Sequence, residues 1–66
     1  MFNFEDALAE YLSLYADVIR VRGYDIEYRG IQRQLQEIAR IVKVHDVDAL
    51  QLELEDLREW AKEIEV

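Results

Sequence analysis

The sequence predicts an all-α fold, a small antiparallel three-helix bundle with tight turns, and three observations carry that expectation. Proline is absent, and only two glycines interrupt the 66 residues. Apolar residues return every three or four positions along most of the chain, which is the helical period. The alternation of apolar and polar residues that marks a strand persists over no useful length. A helical hairpin, in which two of the segments fuse and two copies form a four-helix bundle, satisfies the same periodicity as an alternative.

The first helix should start at Asn3, whose side chain can accept from an unpaired N–H of the first turn. Glu5 and Asp6 follow where negative charge suits the helix dipole. The helix should stop near Arg22, with Gly23 as a left-handed C′ residue. Asp25 can cap the second helix, which should reach about Val44 despite Gly30, a residue costing about 1 kcal/mol relative to alanine. Asp46 or Asp48 can cap the third, and Asp48 with Gln51 has the capping-box spacing. That helix then runs nearly to the end, giving one domain over residues 1–66.

On a helical wheel the second helix presents one apolar stripe, Tyr28, Ile31, Leu35, Ile38 and Val42. The third presents Val47, Leu50, Leu54, Leu57, Ala61 and Ile64, with Trp60 on its flank. The first carries two adjacent rows: Phe4, Leu8, Leu12, Tyr15 and Ile19, then Tyr11, Leu14, Val18 and Val21. Together these rows exceed the apolar arc of roughly 100° that a surface helix buries. The second row, Tyr11, Leu14, Val18 and Val21, is therefore the expected oligomer or partner interface, with Tyr11 its expected anchor and Tyr15 assigned to the core. Chain length favours the same conclusion, since a core this small rarely supplies more than roughly 3–5 kcal/mol unaided. Without cysteine no disulfide can add to it, which leaves association.

Charge is sorted along the chain beneath a net −7. Residues 1–19 hold Glu5, Asp6, Glu10 and Asp17 and no base. In the second helix Arg29, Arg33, Arg40 and Lys43 form a basic stripe opposite the apolar one. In the third, Glu55, Glu59 and Glu63 form an acidic face around Leu52. Like charges four residues apart cost a few tenths of a kcal/mol, so this face is either simply solvated or directed at a basic protein. Nucleic acid is disfavoured as a partner: the chain is acidic overall, and no aromatic residue interleaves with the basic stripe for base stacking.

Signals of chemistry are sparse. Arg40 and His45 have the R-x4-H spacing, which is similar to the pair used by HEPN-type ribonucleases at a dimer interface. That resemblance would imply RNA cleavage, but it spans six residues, and Ile41 stands where the family usually has a polar residue. Glu55, Glu59 and Glu63 share a face without the histidine or carbonyl ligands that make a cation site. Ser13 is the only serine and threonine is absent, so no hydroxyl nucleophile with a paired base is assembled. No catalytic residue, metal or cofactor is expected, and no apolar run approaches the length of a membrane span.

The function expected from the sequence is thus non-enzymatic. It is a cytoplasmic, homo-oligomeric helical bundle that docks a partner, in the manner of accessory factors of phages and mobile elements. A second reading is an acidic inhibitor or nucleic-acid mimic presenting the third helix to a basic protein, and a third is a nucleic-acid binder working through the basic stripe.

Overall fold

A computed structural model describes residues 1–23 and 26–65 of the chain. Three helices form: α1 over Phe4–Arg22, α2 over Tyr28–Val44 and α3 over Val47–Glu63. The hairpin alternative does not occur. Among the described residues there is no strand, and none of their helices is long and apolar enough to cross a membrane.

The helix starts follow local chemistry. Asn3 caps α1, its side chain accepting from the Asp6 N–H at 2.9 Å. Asp46 caps α3 in the same way, accepting from Ala49 at 3.1 Å. Asp48 therefore lies within the first turn of α3, and the expected Asp48–Gln51 capping box is not used. At α2 the residue before the helix is Glu27, whose side chain makes no capping bond. Its carbonyl instead accepts from Gly30 and Ile31. The expected cap at Asp25 lies outside the described residues.

The helix ends depart further from expectation. Gly23 has φ −60° and ψ −33°, right-handed values, so it is not the left-handed C′ residue its position suggested. It is His45, after α2, that is left-handed, at φ 54° and ψ 51°, and Glu65 after α3 also has a positive φ of 59°. Asp46 N–H donates to the Ile41 carbonyl at 3.0 Å and His45 N–H to that of Val42 at 3.3 Å. These paired bonds are the Schellman closure of a helix, and they bring α3 back along α2 without any intervening glycine.

Side-chain pairings fix the helix directions. The Phe4 ring stacks on His45 with centroids 4.1 Å apart, and Gln34 donates to the Tyr11 hydroxyl. Low residue numbers in α1 thus match high numbers in α2. Gln34 also donates to Glu53, and Arg58 pairs with Glu10 at 2.7 Å. The bundle runs up, down, up. The core is Ala7, Tyr11, Tyr15 and Val18 from α1, Ile38 and Ile41 from α2, and Leu50, Leu54, Leu57 and Ala61 from α3. The stripe expected on α3 is the one buried, with Val47 and Ile64 half-buried and Trp60 at its edge.

The packing is uneven. α3 approaches both other helices, whereas no Cα of α1 comes within 8 Å of a Cα of α2. The fold measures 32 × 24 × 15 Å, a slab with α1 and α2 spread along one broad side.

Candidate interaction surface

The structure relocates the surface that the sequence suggested. Tyr11 is 1% exposed and Val18 fully buried, both inside the chain's own core. Leu14 is half-buried and packs against that core. Only Val21 of the expected row is exposed. This corrects the assignment of Tyr11, Leu14 and Val18 to an outward second face. The reason is rotational: α3 packs on the Tyr11–Val18 side of α1, so the more open flank is the opposite one, where Leu8 and Ile19 still pack against the core and Leu12 is left outward. Leu12 is 45% exposed, and Leu8 and Ile19 are half-buried.

α2 is rotated within the bundle as well. Its apolar stripe has a 3,4,3,4 spacing (Tyr28, Ile31, Leu35, Ile38, Val42), the a and d pattern of a coiled-coil seam. The intrachain bundle uses one side of that seam. Ile38 is buried and Ile31 half-buried, joined by Ile41 and by Gln34 turned towards α3. The other row, Tyr28, Leu35 and Val42, is left outward at 72, 46 and 44% exposure. Helical phase places this row on the α1 side of α2, just as it places Leu12 on the α2 side of α1. The two rows flank the line along which α1 and α2 adjoin, where no Cα of one helix comes within 8 Å of the other. The heptad spacing of α2 was the sequence signal that could have located the outward row.

One polar network crosses the bundle. The Gln34 side chain bridges the Tyr11 hydroxyl and, at 2.8 Å, the Glu53 carboxylate. Burial pushes the Tyr11 phenol up to about 12, against the opposing effect of the Gln34 bond, and burial also raises Tyr15. Beside this network lies a cleft of about 260 Å³ bounded by Tyr15, Gly30, Asp56 and Trp60. A Cβ at Gly30 would meet nothing within 4 Å, so the missing side chain helps to open the cleft.

The charged faces are at the surface. Arg29, Arg33, Arg40 and Lys43 are all exposed. Arg40 is engaged by Glu37 at 2.6 Å and Asp46 at 3.6 Å. That hydrogen bond to Arg40 holds the Glu37 carboxyl below its ordinary range. Among the described residues no carboxylate pairs with Arg29, Arg33 or Lys43. Arg40 and His45, the R-x4-H pair, are thus occupied separately, one in ion pairs and the other against Phe4. On α3, Glu55, Glu59, Glu63 and Leu52 are exposed, Leu52 at 63%. No three His, Asp or Glu side chains among the described residues are grouped to hold a metal ion. Arg58 reaches across to Glu10, lowering that carboxyl through their hydrogen bond.

The chain matches no protein-family model, no curated protein and no solved structure.

Proposed function

We propose that the protein is a non-enzymatic interaction and assembly module that docks through the face shared by α1 and α2. The observation carrying this reading is the outward row Tyr28, Leu35 and Val42 beside Leu12. Four large apolar side chains flanking the line between α1 and α2 form the kind of contiguous patch that marks an interface, whereas a scattered exposed leucine does not. The heptad spacing adds that the row is shaped for a helix. The test is Leu35→Glu. A carboxylate in a desolvated contact costs several kcal/mol, while at a residue half open to solvent it leaves the core intact. Circular dichroism should stay helical, and whatever mass or captured protein the native chain shows in solution should be lost. An unchanged complex would refute the assignment.

The acidic face of α3 supports a second reading, an inhibitor or nucleic-acid mimic engaging a basic protein. Leu52, 63% exposed, stands at the head of the line Glu55, Glu59 and Glu63 on one face of α3. Binding through that face should weaken steeply with salt, whereas binding through the α1–α2 face should not.

A further inference from the structure

Resting on the assignment of the α1–α2 face as the docking surface, we propose that its occupant is a second copy of this chain. The copies are related by a twofold axis parallel to the helices, so that α1 of each lies antiparallel over α2 of the other. Height along the bundle argues for this. The Tyr11–Gln34 hydrogen bond sets Leu12 and Leu35 within about 3 Å of one level, two residues' rise at most. The Phe4–His45 stack likewise sets Glu5 level with Lys43 at the opposite end of α2. A twofold parallel to the helices preserves heights, so Leu12 of one copy meets Leu35 of the other and Glu5 reaches Lys43.

Charge complementarity supports this arrangement. Glu5 lies seven residues before Leu12, on the same flank of α1, and that helix carries no base before Arg20. On α2, Lys43 follows Leu35 by eight residues and has no carboxylate partner among the described residues. A twofold perpendicular to the helices would instead stack α1 on α1 and α2 on α2, so that Leu12 would face α1 of the other copy and not Leu35. Ala9, Ala16 and Ala39 are exposed one turn from Leu12 or Leu35, leaving room for the closer approach.

The absence of cysteine allows a direct test. Native protein should show a dimer mass by sedimentation. A Leu12→Cys chain mixed with a Leu35→Cys chain should cross-link through a short bis-maleimide into the mixed pair, while Leu12→Cys alone should not link to itself. Glu5→Lys should raise the dissociation constant about fivefold, with Lys43→Glu in the same chain restoring it. A dimer linking through Leu12→Cys alone would overturn the arrangement. A monomer mass at every concentration, with Leu35→Glu abolishing capture of a different protein, would overturn self-docking and leave the docking face standing. A monomer on which Leu35→Glu has no effect at all would remove both.

Discussion

Two residues each perform a task that a generic bundle would assign to other types. His45 holds the left-handed position between α2 and α3, where a side chain costs roughly 1 kcal/mol relative to glycine. Its ring is stacked on Phe4, an aromatic contact worth about 0.5–1.5 kcal/mol. His45→Gly should therefore be close to neutral in urea unfolding, because the two effects oppose. In a Phe4→Leu background the stack is already gone, and His45→Gly should then stabilise by about 1 kcal/mol. The same stabilisation in both backgrounds would show that the stack contributes nothing. Tyr11 is the other case. Its folded-state pKa lies above its unfolded value, so its contribution is complete below about pH 10 and is lost as pH climbs through about 12. Stability should fall over that window, and Tyr11→Phe should reduce the fall. The same substitution removes the bond from Gln34 and should cost about 0.5–1.5 kcal/mol near neutral pH.

At the scale of the helices, α3 is where sequence and structure agree most closely. Leu50, Leu54, Leu57 and Ala61 were legible from their spacing and are the buried residues of that helix. Leu54→Ala should cost about 2–5 kcal/mol in chemical unfolding, as truncation of a buried leucine does, and in a core this small it should leave little cooperative transition. An unshifted transition would mean that α3 is not packed as described. α1 and α2 were legible as helices and not as faces. Each carries an apolar arc wider than one intrachain neighbour covers, and periodicity gives the arc without its bearing. In α2 the bearing was turned by Gln34, a polar residue that faces inward because Tyr11 and Glu53 satisfy it. In α1 it was turned by α3 settling on the Tyr11–Val18 side. The tight turn near His45 was legible, but its left-handed conformation was not: glycine was the expected signal, and at His45 the strain is borne by a residue with a stacking partner.

At the scale of the whole molecule, charge sorting and uneven packing have a shared consequence. Among the described residues the basic segment meets the acidic ones in Arg20–Asp17 and Arg40–Asp46. Leu12, Tyr28, Leu35 and Val42 stay in water, where a closed bundle would bury them. A fold with so small a core should draw part of its stability from covering these side chains, which couples folding to concentration. Each tenfold rise in concentration adds about 1.4 kcal/mol to a dimer, or about 0.7 kcal/mol per chain. For a domain of this size that raises Tm by about 3–6 °C. Thermal melts of the native chain over a hundredfold concentration range should show that slope. Leu35→Glu, with the outward row of α2 interrupted and the core left intact, should melt lower and at one temperature throughout. A native chain whose Tm ignores concentration would show that the open face contributes nothing to folding, whatever it binds.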